Sequence, residues 1–385
     1  MDDPITQGGD RPGPSSSPEK VRLLGLACAV PPHVLDQDAV LRAARTVFGP
    51  RLRDFERLAP VFDNAGITTR YASKPLDWLL GAPGWAEKNA AYLESAQNLL
   101  EQAARSCLRG AGLIPTDVDA LVVVSSTGIA TPSLDSLLME RMGLRPDTRR
   151  LPVFGLGCAG GVLGLARAAE LARAVPGSNV LLLVVELCSL TVRHGDLSPT
   201  NVVATALFGD GAAACLIRCD AAADPKALNP DDSIDRDPTG PGRGLAALVA
   251  SCEHTWPGTR DIMGWRVAND GLGVVFSQDI PRLIRERLRP VLDGFLAARG
   301  MTRANLAGVA CHPGGVKVLS ALEEVLAPVS DGFEESRSVL RDYGNMSAVT
   351  VFFVLERRLA AGATGRHLLT AFGPGFTAAL LLADL

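Results

Sequence analysis

A chain of 385 residues, 47% of them hydrophobic and with a formal net charge of -4, has a globular composition and is too long for one small core, so two packed halves are expected. Aromatics are only 5% of the chain and no Lys/Arg block occurs, which argues against phosphate tracking and base stacking and so against a nucleic-acid partner. No apolar run reaches the roughly 20 residues needed to span a bilayer.

Residues 1–20 are rich in Pro, Gly, Ser and charge, lack a signal-type apolar region and read as a disordered tail. Eight cysteines are scattered through apolar runs with no CxxC pair, and five histidines lie far apart, so a cytoplasmic protein with reduced thiols and no structural metal is expected. Residues 220–244 carry turn signals and read as a link between a first half, 21–235, and a second, 236–385.

The two halves repeat one plan. Gly112-Leu113-Ile114 before the apolar run 120–124 parallels Gly300-Met301-Thr302 before 308–311, an offset of 188. The same offset carried forward from Cys158 lands near Asn345, and each of these residues is expected to open an amphipathic helix. Phe208-Gly209-Asp210-Gly211 then matches Phe372-Gly373-Pro374-Gly375 at a shorter spacing, which gives the first half an extra segment between its helix and its last hairpin. Buried strands alternating with long helices imply an α/β fold of two pseudo-twofold related, layered halves.

Gly155-Leu156-Gly157-Cys158-Ala159-Gly160-Gly161 joins a strand to a helix. Glycines permit the bend, and a helix N-terminus behind the sulfur favours thiolate, so Cys158 fits an activated nucleophile. It equally fits a small buried hydrophobe at a tight turn. His312 in Cys311-His312-Pro313-Gly314-Gly315 is expected at a strand mouth, either as a catalytic imidazole or as a structural one; Asn345 is a catalytic amide or an N-cap. Pseudo-symmetry brings the three together, a set suited to acyl transfer through a thioester in which His also holds the thiol as thiolate and His plus Asn donate to an oxyanion.

GLGCAGG, LFGDGAAA, CHPGG, YGNMSA and FGPGF, in this order over residues 21–385, resemble the type III polyketide synthases, the chalcone synthase-like family of the thiolase superfamily, and in particular their bacterial branch. The resemblance implies a thiolase-like fold, two βαβαβαββ halves forming a five-layered αβαβα core. It also implies a homodimeric acyltransferase using CoA thioesters and no cofactor. Cys158 would load an acyl-CoA starter, fatty acyl groups included, while His312 and Asn345 promote decarboxylative condensation with malonyl-CoA. Iteration and cyclisation would give an alkylpyrone or alkylresorcinol. A single-condensation ketoacyl synthase III-like enzyme and a silent acyl-CoA-binding member are the alternatives.

By the same resemblance Phe208 is one aromatic gatekeeper and Val274 occupies the place of the second, leaving a more aliphatic entrance. Thr131, Thr191, Ser126 and Ser347 fall on cavity-lining positions, Thr131 where the plant enzymes donate a methionine across their dimer interface. The basic cluster for CoA phosphates is reduced to Arg53 and Arg57, with Lys317 as a further candidate.

Overall fold

The structure is a computed structural model that describes residues 20–220 and 244–385. The link between the halves and the 235/236 boundary therefore lie outside the described residues, as does the tail up to residue 19. Nine strands form one mixed sheet. From one edge to the other the order is Gly308–Cys311, Arg366–Gly373, Thr377–Asp384, Ala246–Thr255, Val21–Ala29, Asp210–Cys219, Asn179–Leu187, Ala120–Val124 and Arg149–Val153.

The duplication is visible in that order. At the centre Val21–Ala29 meets Ala246–Thr255 antiparallel, with Val21 opposite Leu248. Moving outward on either side the pairings are antiparallel, antiparallel, then parallel. The first half alone carries a further strand, Arg149–Val153, as an exposed edge.

Uninterrupted apolar runs make these strands because both faces are covered. Along Ala120–Val124, residues 120, 122 and 124 enter one core while Leu121 and Val123 enter another. Asn179–Leu187 and Asp210–Cys219 divide by the same alternation, as do Arg366–Gly373 and Thr377–Asp384 in the second half. The shared central core receives helices Gly160–Ala174 and Thr350–Ala360 from both halves. Helix Trp85–Gly110 covers the outer face of the first half; Ile280–Ala297 and Val316–Leu326 cover that of the second. Helix, sheet, helix, sheet, helix is the five-layered order that the motifs imply.

Two details differ from expectation. Each central helix is preceded by a 3-10 turn, Gly157–Ala159 and Ser347–Val349, and turns and helices lie 190 residues apart (157 to 347, 160 to 350). Cys158 thus corresponds to Ala348, and Asn345 stands three residues ahead of that equivalence, in the approach to the turn. The extra segment of the first half, residues 188–209, lies inside the last hairpin, between Asn179–Leu187 and Asp210–Cys219. It carries Thr191 and Phe208 on a 3-10 turn, Cys188–Thr191, and on the cap of helix Pro199–Leu207.

Candidate active site

The nucleophile turn is built from its glycines. Gly155 and Gly157 take φ of 91° and 48°, in the left-handed region that glycine tolerates, and a Cβ on Gly157 would come within 2.6 Å of Pro374 Cδ. Cys158 follows on the 3-10 turn and keeps part of its surface open while protein packs the rest. Behind it, Ser126 Oγ accepts from both the Gly155 and Gly157 N–H groups at 3.3 Å. The Ser126 N–H donates in turn to Glu186 Oε2 at 3.0 Å, so a fully buried carboxyl sits one residue removed from the cysteine turn.

Asn345 is fixed by backbone pressed against backbone. Its N–H donates to Leu207 O at 2.8 Å and its carbonyl accepts from Gly209 N at 3.0 Å, a bridge that sets Phe208 beside it. A Cβ on Gly209 would lie 2.4 Å from Tyr343 O, which is why the FGDG and YGNMS segments carry glycine where they meet. Asn345 Oδ1 accepts from the Ser347 N–H at 2.8 Å and Nδ2 donates to Gly314 O at 3.2 Å, leaving one amide hydrogen uncommitted.

His312 leaves the end of strand Gly308–Cys311, its N–H donating to Thr370 O at 2.8 Å and its carbonyl accepting from Gly314 N at 3.0 Å. Its ring is 4% exposed, and neither Nδ1 nor Nε2 has a protein partner. Ser347, at φ 49°, hydrogen-bonds the Cys158 thiol. One connected path thus runs from Cys158 through Ser347, Asn345 and Gly314 to the backbone carbonyl of His312.

Burial opposes one expectation. Burial pushes the Cys158 thiol up to about 11; the Ser347 hydroxyl works against this, and Glu186 adds to it. Burial also pushes His312 down to about 3. Burial thus disfavours the charged form of both groups, against the thiolate that the helix terminus and the histidine were expected to favour. Burial likewise raises Glu186, to about 8, despite the hydrogen bonds it accepts from Ser126 and Thr127.

The remaining predicted positions separate into groups. Ser126 and Ser347 serve the cysteine turn as described, and Thr191 is buried with its hydroxyl donating to Cys188 O at 2.7 Å. Val274 is half-buried on strand Gly271–Phe276. Phe208 keeps an aromatic neighbour all the same: Trp265 packs edge-on against it with ring centroids 6.4 Å apart. Trp265 lies directly opposite Val274 in the hairpin with Met263–Ala268, so an aromatic ring accompanies Val274 beside Phe208. The two-residue Asn269-Asp270 loop could have revealed this pairing, because a tight hairpin fixes the register on both strands. Thr131 is exposed in this single chain, close to the exposed Ile129. Arg53 and Arg57 are exposed, Arg57 ion-paired with Asp54 at 3.7 Å. Lys317 is exposed on the first turn of Val316–Leu326, and the neighbouring Val316 packs against Gly66, just past helix Pro60–Asn64. Among the described residues no cluster of three or more potential metal ligands occurs, no disulfide forms and no helix is long and apolar enough to cross a membrane.

Comparison with known proteins gives the family. The family model for chalcone and stilbene synthases matches its N-terminal domain to residues 15–221 and its C-terminal domain to residues 247–384. The chain is 37% identical to a 1,3,6,8-tetrahydroxynaphthalene synthase of Streptomyces peucetius subsp. caesius, over 92% of this chain and 90% of that one. It is 35% identical to a putative chalcone synthase of Bacillus subtilis (strain 168), over 94% and 97%. The crystal structure of 1,3,6,8-tetrahydroxynaphthalene synthase from Streptomyces coelicolor A3(2) superposes with a TM-score of 0.83 at 28% identity, covering 94% of this chain and 99% of that one. The chain belongs to the chalcone and stilbene synthase family and has its thiolase-like fold. It is a type III polyketide synthase, an acyltransferase acting on CoA thioesters by decarboxylative Claisen condensation with malonyl-CoA.

Proposed function

We propose that Cys158 carries the acyl chain as a thioester while His312 and Asn345 bind the malonyl thioester oxygen. The observations that carry this reading are the buried, unpartnered imidazole of His312 and the hydrogen bonds that tie the His312 backbone, through Gly314, Asn345 and Ser347, to the Cys158 turn. As Cys158 sulfur attacks the starter carbonyl, its proton passes to His312 and from there to the departing CoA thiolate. In malonyl-CoA the bond to the carboxylate then breaks, CO2 leaves, and the electron pair becomes an enolate. Its oxygen takes hydrogen bonds from an imidazole N–H and from the uncommitted Asn345 N–H. The enolate carbon attacks the Cys158-bound carbonyl, the carbon–sulfur bond breaks, and the extended CoA thioester is ready to reload.

The starter in this reading is an acyl-CoA, fatty acyl groups included, and the product an alkylpyrone or alkylresorcinol, made in the cytoplasm without a resident cofactor. CoA phosphates meet the exposed Arg53, Arg57 and Lys317. A homodimer is supported by exposed apolar side chains beside Thr131 and at the sheet edge, Ile129 at 49% and Phe154 at 61%. A second reading, condensation of malonyl units alone to an aromatic product, is favoured by the identity to tetrahydroxynaphthalene synthase. Mass spectrometry of products from malonyl-CoA with and without a panel of acyl-CoAs separates the two. Cys158→Ala should abolish starter-dependent product, and full condensation by that variant would overturn the proposed role of the sulfur.

A further inference from the structure

Helix Pro199–Leu207 ends against Asn345 without the left-handed glycine that commonly closes a helix: Phe208 follows it in extended conformation, at φ -80° and ψ 139°. The carbonyls of its last turn therefore need donors from elsewhere. Ala204 O accepts from the Phe208 N–H at 2.9 Å and Leu207 O from the Asn345 N–H at 2.8 Å. Thr205 O and Ala206 O accept from a single guanidinium, that of Arg70, at 3.0 and 2.8 Å, and Phe208 O accepts from it at 3.1 Å. Gln37 accepts from the same guanidinium and donates to Ala206 O at 3.2 Å. Arg70 is thus the cap of this helix, a cation at the negative end of its dipole.

The setting of Arg70 is unusual. It is 2% exposed, and among the described residues it forms no ion pair. Asp210, the acid whose charge acts on it, accepts instead from the Ser73 and Ser189 N–H groups and from the Ser189 hydroxyl. An arginine buried without a carboxylate is costly, and the main-chain carbonyls that this side chain holds all belong to one helix end.

Arg70 belongs to strand Thr69–Ala72, whose neighbouring residues hold the other approach to the site. The Thr68 N–H donates to Arg341 O at 2.8 Å, Thr69 Oγ1 donates to Asp342 O at 2.9 Å, and Tyr71 stacks on Tyr343 with ring centroids 5.6 Å apart. Arg341, Asp342 and Tyr343 end helix Phe333–Tyr343, which leads through Gly344 into Asn345. The Arg70 stem lies before both glycines of the junction: a Cβ on Gly209 or Gly344 would stand 3.4 or 3.6 Å from its own Cβ. One short strand therefore fixes, by their helix ends, both segments that meet at the Phe208–Asn345 bridge.

We propose that Arg70 is a positioning residue for the condensation: by closing helix Pro199–Leu207 it holds the Phe208–Asn345 bridge in register and so aims the uncommitted Asn345 amide hydrogen at the malonyl oxygen. This rests on the role of Asn345 given under the proposed function. Arg70 then matters to loss of CO2 and not to the Cys158 thiol, which its side chain does not touch.

Two measurements on full-length enzyme separate these roles. Labelled CO2 released from carboxyl-labelled malonyl-CoA reads decarboxylation. The rate at which iodoacetamide alkylates Cys158 across pH, followed on its peptide by mass spectrometry, reads the cysteine turn. In Arg70→Lys and Arg70→Met, CO2 release should fall about 100-fold, the effect of a roughly 1 Å displacement at reacting groups. The KM for malonyl-CoA should stay within about threefold, because the lost donation is made to the enolate, and the Cys158 profile should be unchanged. Gln37→Met removes the side chain that accepts from Arg70 and should show a smaller loss of the same kind, about fivefold, which answers the question where the Arg70 variants misfold. Wild-type CO2 release in a folded Arg70 variant, or in Gln37→Met where those misfold, would overturn the proposal. So would a fall in CO2 release accompanied in every folded variant by an altered Cys158 profile. Asn345→Ala tests the reading beneath it: wild-type CO2 release there removes the role of Asn345, whereas slow release there with fast release in the Arg70 variants removes Arg70 alone.

Discussion

Gly161→Ala tests whether the two central helices set the geometry of the site. The residue lies in the first turn after Cys158, and a Cβ there would stand 2.1 Å from the backbone oxygen of Ala348, 2.9 Å from Val351 Cγ1 and 3.2 Å from Phe352 Cε2. Ordinary carbon contacts are roughly 3.5 Å, so the helices must separate by more than about 1 Å, and the nearest obstacle is backbone that cannot rotate away. Overpacking of this kind costs about 1–3 kcal/mol, and the helical preference for alanine returns about 1 kcal/mol. A net loss of up to about 2 kcal/mol follows, seen as a fall of up to a few degrees in Tm. Activity should suffer more, because Ala348 belongs to the turn that holds Ser347: a displacement of about 1 Å at reacting groups lowers rates roughly 100-fold. Gly294→Ala is the control. It lies in the exposed interior of Ile280–Ala297 with nothing within 4 Å of the added methyl, and should gain about 0.5–1 kcal/mol with activity unchanged. Thermal melts and steady-state kinetics on both variants decide the matter; wild-type Tm and kcat in Gly161→Ala would refute the reasoning.

Three further outcomes are expected. With His312 held down to about 3, the unfolded chain binds a proton below pH 6.5 that the folded chain does not, so this residue subtracts stability as pH falls from 6.5 toward 3. Urea unfolding of wild type and His312→Gln should therefore shift in favour of the variant by about 2 kcal/mol between pH 7 and pH 5, and parallel curves would count against the neutral imidazole. Trp265→Ala removes the edge-on partner of Phe208, worth about 0.5–1.5 kcal/mol, and should widen the accepted range of starters in a competition assay; an unchanged product spectrum argues against a gate. Arg57→Ala combined with Lys317→Ala should raise the KM for malonyl-CoA a few-fold at low salt with kcat retained. The effect is modest because exposed pairs contribute only about 0.2–1 kcal/mol each, and a KM insensitive to both the substitutions and salt would place the CoA phosphates elsewhere.

The sequence was most legible where chemistry needs an unusual backbone. Gly157, Gly209 and Gly344 mark turns whose φ or close approach excludes a side chain, and those turns carry Cys158, Phe208 and Asn345. Runs such as Val180-Leu181-Leu182-Leu183 announced buried strands but could not say which residues face which core, since both faces are apolar. Repeat spacing placed Asn345 opposite Cys158, and only the 3-10 turns show the offset of three residues. Arg70 and Glu186 were illegible for one reason: a charged residue within a helix or strand pattern reads as surface unless its neighbours in space are known. Both turn out buried, one against the end of helix Pro199–Leu207 and one behind the cysteine turn.

Burial of Cys158 and His312 together bears directly on the proposed chemistry. An ion pair of thiolate and imidazolium at this depth has to overcome desolvation of both charges, and Glu186 beside the cysteine disfavours the thiolate further. The uncharged pair avoids that penalty at rest and delays charge separation until a thioester carbonyl arrives to accept the sulfur. A neutral imidazole N–H and a fixed amide N–H are then the donors facing the enolate oxygen, in a site of low polarity where such hydrogen bonds are strong. The imidazole is neutral again before malonyl-CoA loses CO2, because the proton taken from the thiol during loading leaves with CoA; the Cys158 thiolate expelled by condensation then reloads directly or takes a proton from solvent. A thiolate–imidazolium pair would reach the same products with that proton already on the ring, so what burial changes is when charge separates: on arrival of the substrate and not at rest.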